Sequence, residues 1–174
     1  MKPRGASPPR FRLPPADAPP PVPPLPAPPT LRLVLDTNTV MALWVFEDPR
    51  LAPLRALVDA GAPVLLANDA TLEELRRVLA YRQFGIAPER QDALRAAYAA
   101  RTAVLPAQDP AGAPPLPACR DGDDQKFLTL ARDGGATHLV SRDKLLLKLN
   151  RHRLVRPLFA IVTPEAFVAA LAAA

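Results

Sequence analysis

Apolar and polar positions alternate in short blocks from residue 31 onward. Apolar runs at 31–35, 63–67, 137–141 and 160–162 have the length of buried strands, and 102–105 predicts a shorter one. Between them lie stretches with helical spacing. The first covers 37–46 and stops near Asp48-Pro49; the second covers 51–60 and ends at Gly61, a usual C-terminal glycine. Asn68 or Asp69 caps a third that runs to about Tyr81, and Pro88 suits the first turn of a fourth at 88–101. A helix at 123–133 is stopped by Gly134-Gly135, and a short one follows at 143–149. Thr163 caps a terminal helix with Pro164 at its first position. Strands alternating with helices predict an α/β fold with a mainly parallel sheet, right-handed crossovers and no internal repeat. Residues 106–118 are Pro-rich and predict a loop.

Residues 1–30 break this pattern, because they hold thirteen of the twenty-four prolines. Proline lacks an amide donor and biases its predecessor away from helix, so this segment predicts a disordered or locally polyproline II tail. The expected organisation is a tail at 1–30 and one folded domain at 31–174. The net charge is +5; the tail has four basic residues and one acid, and the remainder has eighteen basic and sixteen acidic residues. A folded part this mildly basic permits nucleic-acid binding without demanding it. Cys119 is the single cysteine, which excludes a disulfide within the chain and a zinc site built from thiols. No apolar run is long enough to span a bilayer. Prolines interrupt the segment after the basic N-terminus, so no secretion signal is read. The expected compartment is the cytoplasm.

The candidate chemistry lies in acids at the edges of apolar runs. Asp36 ends the first strand, Glu74 lies in the early turns of the third helix, Asp121, Asp123 and Asp124 precede Lys126-Phe127-Leu128, and Asp143 follows the strand ending at Ser141. Chain edges of this kind are where an open α/β sheet gathers its site. For Asp36 alone, helix cap and catalytic acid weigh equally. Glu74 lies nearer the apolar face of Leu72, Leu75, Val78 and Leu79 than Glu73 does, and Glu73 reads as solvated. Asp124 aligns with Phe127, Leu128 and Ala131, whereas Asp123 reads as the helix cap and Asp121 as a turn residue. Gathered carboxylates repel unless a divalent cation neutralises them, and oxygen-only ligands fit Mg²⁺ or Mn²⁺. The matching reaction is in-line attack of a metal-activated water on a phosphodiester.

The segments 33–38 (LVLDTN), 73–75 (EEL), 119–128 (CRDGDDQKFL) and 139–143 (LVSRD) resemble those of PIN-domain proteins, in order and over 31–170. The likeness is greatest to the VapC-like toxin components of bacterial toxin–antitoxin systems. That resemblance implies a three-layer fold around central parallel strands, and Mg²⁺- or Mn²⁺-dependent ribonuclease activity. Carried over by motif, the metal-binding and catalytic acids are Asp36, Glu74, Asp124 and Asp143, with Asn38, Ser141 and Asp123 in support. Many relatives carry Asp where Gln125 stands, which leaves the choice between Asp123 and Asp124 open. A cognate antitoxin and a homodimer are the implied partners. The Pro-rich tail has no counterpart in the family pattern.

Arg142 and Lys144 are the candidate substrate contacts after the fourth motif, with Lys148 beside them; Arg76, Arg77 and Arg82 follow the second. Such contacts position a phosphate backbone without reading bases. His138 and His152 lack ligand spacing, His138 reads as structural, and Cys119 as a partly buried residue without a base. Trp44 and Phe46 are either core or part of an apolar patch for a partner. A haloacid-dehalogenase-like phosphatase also places an aspartate after a hydrophobic strand, but Asn38 stands where its second acid belongs. A non-catalytic RNA- or partner-binding PIN module is the alternative from another functional class.

Overall fold

The structure, a computed structural model, describes residues 30–106 and 111–173. The predicted tail, apart from its last residue, and four residues of the Pro-rich loop lie outside the described residues. Five strands form one sheet: β1 (Arg32–Leu35), β2 (Val64–Ala67), β3 (Thr102–Val104), β4 (His138–Val140) and β5 (Ala160–Val162). All neighbours are parallel, in the order β3-β2-β1-β4-β5. Seven α-helices connect them among the described residues: α1 (Thr37–Trp44), α2 (Ala52–Asp59), α3 (Asp69–Leu79), α4 (Pro88–Ala99), α5 (Gln125–Asp133), α6 (Lys144–Leu149) and α7 (Pro164–Ala172). A 3₁₀ turn at Arg82–Phe84 has no expected counterpart.

Both faces of the sheet are covered, and the alternation of strand side chains explains how. Leu33 and Leu35 of β1 face a core built with α1, α2, α3 and Phe167 of α7. Val34, between them, faces the other way, onto Phe127, Leu128, Leu130 and Ala131 of α5 and Leu146 of α6. Leu65 and Leu66 of β2 divide between the same two cores. The result is a three-layer sandwich with the sheet in the middle.

Helix ends follow local chemistry. Asn68 caps α3 in a reciprocal box with Thr71: each side chain accepts from the other's backbone amide, at 3.0 and 3.1 Å. Gly135, past the end of α5, has φ +57°, a conformation glycine adopts without strain. Gly134 before it has no room for a side chain, since an added Cβ would lie 2.6 Å from Leu66 and 2.9 Å from Leu105.

The strand order decides where a site can form. The chain moves outward from β1 through β2 to β3, then returns to place β4 on the other side of β1. The order reverses at the carboxyl ends of β1 and β4, the place where open α/β sheets gather a site.

Candidate active site

Asp36 and Ser141 stand at that reversal, directly after β1 and β4. Both are buried, and their side chains meet, the Ser141 hydroxyl donating to Asp36 Oδ2 at 2.5 Å. The other oxygen, Oδ1, accepts from the Thr39 amide at 2.7 Å and caps α1. Asp36 therefore caps α1 with one oxygen and receives the Ser141 hydroxyl with the other. Burial, then the Asp143 charge, raise its pKa against the lowering effect of the Ser141 and Thr39 hydrogen bonds. Ser141 in turn accepts from the Asp143 amide at 2.9 Å. Asp143 caps α6 through Oδ1, which accepts from Leu145 and Leu146 at 2.7 and 3.0 Å.

Glu74 enters from α3, which packs on the Leu33 and Leu35 face of the sheet. Its Oε1 accepts from the Thr37 hydroxyl at 2.7 Å, one residue after Asp36, and its Oε2 is held by the Lys126 ammonium. Both partners of this pair are mostly buried. Glu73, one position earlier, faces solvent and pairs with Arg76. Sequence reasoning separated these two glutamates by their distance from the apolar face, but it did not single out Thr37 or Lys126. The signal for Lys126 was its place two residues after Asp124, one step from the buried Phe127.

The acidic turn before α5 is arranged differently from the expectation for Asp123. Asp121, not Asp123, makes the cap: its Oδ1 accepts from the Asp123 amide at 3.0 Å, opening a 3₁₀ turn over Gly122–Asp124. Asp123 is exposed. The turn needs an acceptor one residue before its first member, and the register of the longer helix hid this. Asp124 is half-buried, and its carboxylate accepts no hydrogen bond among the described residues. Its pKa is pushed up to about 6, first by burial and then by Asp143, Asp121, Glu74 and Asp36. Gln125 pins the preceding loop, its Oε1 accepting from the Cys119 amide at 2.8 Å and its amide reaching Pro117 O at 3.3 Å. An aspartate there would be too short for this clamp. Burial lifts the Cys119 thiol to about 11, as expected of a residue without a base.

Other expected residues stand apart from this group. Asn38 is exposed on the first turn of α1 and makes none of these hydrogen bonds. Arg142 pairs with Glu165 at 2.6 Å and with Asp48 at 3.0 Å, and so links α7 to the loop after α1. Lys144 is exposed at the start of α6 and has no ion pair among the described residues. His138 is structural, with its ring edge-on to Phe167 at 5.2 Å. Trp44 is buried against Tyr98, while Phe46 is exposed. Arg142→Ala is expected to lower the unfolding midpoint by a few degrees, since it breaks two part-buried ion pairs, and to leave any nuclease activity within about twofold, since Arg142 pairs with Glu165 and Asp48 and not with Asp36, Glu74, Asp124 or Asp143. A thermal melt beside an activity assay checks both.

The donor set is all oxygen, which suits a hard divalent cation. The raised pKa values of Asp36 and Asp124 show carboxylates held in the field of their neighbours as well as buried. Among the described residues, however, no three His, Cys, Asp or Glu side chains converge as an assembled metal site. Lys126 supplies the positive charge that Glu74 requires in this arrangement.

A PIN domain family model matches residues 32–145. The chain belongs to the PIN domain family, whose members are typically nucleases that use divalent metal ions. No curated protein and no solved structure matches the chain. Among the described residues, no helix is long and apolar enough to cross a membrane.

Proposed function

We propose that this protein is a Mg²⁺- or Mn²⁺-dependent endoribonuclease and the toxin half of a toxin–antitoxin pair. The observation that carries the reading is the coupling of Asp36 to Ser141 at the point where the strand order reverses, with Asp143 close enough to raise the pKa values of both Asp36 and Asp124. Asp36, Glu74, Asp124 and Asp143 are the residues proposed to hold the cation. A cation there would neutralise the carboxylates and lower the pKa of an attacking water. Ser141 holds one Asp36 oxygen in place, Thr37 does the same for Glu74, and Lys144 is offered as a contact to the RNA backbone. A cognate antitoxin and a second copy of the chain are the proposed protein partners.

One observation favours a second reading, a non-catalytic RNA- or partner-binding module. Lys126 occupies Glu74, and the acids do not converge among the described residues. The deciding experiment incubates the full-length protein, freed of copurified partners, with a pool of single-stranded and structured RNA in Mg²⁺, Mn²⁺ or EDTA. Cleavage in either metal and none in EDTA supports the nuclease. RNA bound but intact in every metal supports the second reading.

A further inference from the structure

The face of α3 that carries Glu74 does not end at the carboxylates. Glu74, Arg77, Val78 and Tyr81 follow one another at helical spacing, and together with Asp123 and Asp124 they line one groove. Along the axis, Tyr81 lies roughly 10 Å beyond Glu74. The Tyr81 amide still bonds Val78 O at 3.1 Å, so the residue leaves the helix in a defined position.

Tyr81 is 51 % exposed. It is not loose. Its ring is nearly parallel to that of Phe84, 21° between planes at 6.3 Å, and Phe84 is braced edge-on by Phe46 at 5.7 Å. The turn at Arg82–Phe84 creates this arrangement, ending at Gly85 with φ +58°. Arg77, between the ring and the acids, is exposed and has no ion pair among the described residues. An exposed ring backed by two further aromatic rings, with an unpaired cation between it and the proposed nuclease site, suits single-stranded nucleic acid.

We propose that Tyr81 is a stacking platform for an unpaired base of the RNA, beside the nucleotide whose phosphate lies at the carboxylates, with Arg77 contacting the intervening backbone. This inference rests on the nuclease reading and adds to it the residue that holds an unpaired base. A ring face accepts any base, so the platform sets the register of the strand rather than its sequence. A protein partner covering the Phe46–Phe84–Tyr81 patch is the rival occupant. Continuity of the groove with Glu74 and the unpaired Arg77 favour RNA.

The test measures binding rather than cleavage. Full-length protein carrying Asp36→Asn, to spare the RNA, is titrated in Mg²⁺ against a short fluorescein-labelled single-stranded RNA pool and against an abasic ribose-phosphate oligomer of equal length. Adding Tyr81→Ala is expected to weaken binding of the pool about tenfold and leave the abasic oligomer unchanged; Tyr81→Phe is expected to bind both as its parent does. Equal affinity of the Tyr81→Ala protein and its parent for the pool overturns the proposal, as does an equal loss on both oligomers. Light scattering on the same samples separates the rival: a parent dimer that Tyr81→Ala dissociates, with RNA affinity unmoved, assigns the patch to a second copy. Cleavage by the wild-type chain is scored separately. Cleavage by the wild-type chain with no Tyr81 effect on binding defeats the platform alone, whereas no cleavage by the wild-type chain together with no RNA binding by the parent defeats both readings.

Discussion

Asp36→Asn is expected to reduce metal-dependent RNA cleavage on the order of 10³-fold while the protein stays folded. The activity loss follows from charge. A cation at this site relies on ionised carboxylates, and the charge stabilisation it gives a transition state is worth several kcal/mol, each 1.36 kcal/mol being about tenfold in rate. The survival of the fold follows from shape and hydrogen bonding. Asparagine keeps an acceptor for the Thr39 amide, so the cap of α1 remains. Its amide can donate to the Ser141 oxygen, whose hydroxyl proton then turns away. The substitution also removes a carboxylate whose ionised form burial disfavours. In the absence of metal, the variant should therefore melt no lower than the parent near neutral pH. Normal cleavage by a folded variant would remove Asp36 from the chemistry, and loss of fold would mean that its charge is structural.

Much of the fold was legible because its signals are local. The run 160–162 is β5 without change, and Thr163 with Pro164 starts α7 as capping chemistry requires. The placement of acids after strands was readable for the same reason, since Asp36 and Asp143 take their positions from the ends of β1 and β4. PIN-domain membership agrees with the motifs read in order over the domain. The functional assignments of the individual acids remain proposals. What the sequence hid depends on contacts between distant segments. Lys126 and Glu74 are fifty-two residues apart, and Arg142 meets Asp48 across ninety-four. Neither spacing leaves a periodic trace. A basic residue next to a strand end looks the same in sequence whether it faces RNA or clamps its own fold. The Arg82–Phe84 turn escaped because a single 3₁₀ turn is too short to show a hydrophobic period.

Asp124→Asn is expected to reduce cleavage as Asp36→Asn does, and it should also change how the metal-free protein responds to pH. The folded-state pKa of Asp124 is about 6, against an ordinary 3.8. Between those values the folded protein holds a proton that the unfolded chain has released. Stability from this group is thus fully present below pH 3.8 and is lost as the pH rises through 6. Asp36, also raised, acts in the same direction. Glu165, lowered first by the hydrogen bond from Arg142, acts in the opposite one and loses its stabilising effect as the pH falls. The parent profile therefore mixes both signs, and the difference between parent and variant isolates Asp124. In EDTA, the variant should melt higher than the parent near neutral pH, with the gap closing as the pH falls through the window below 6. The carboxylate is partly exposed, so solvent screening keeps the gap small. Mg²⁺ should then raise the melting temperature of the parent near neutral pH, since a ligand bound only by the folded state stabilises it, and should raise that of the variant less. Melting curves with and without EDTA across that pH range give the answer. A variant that melts in parallel with the parent at every pH, and responds equally to Mg²⁺, would show that Asp124 neither feels the other acids nor holds the cation. Closure of the gap together with loss of the Mg²⁺ response would tie the electrostatic cost of gathering these acids to the ion that relieves it.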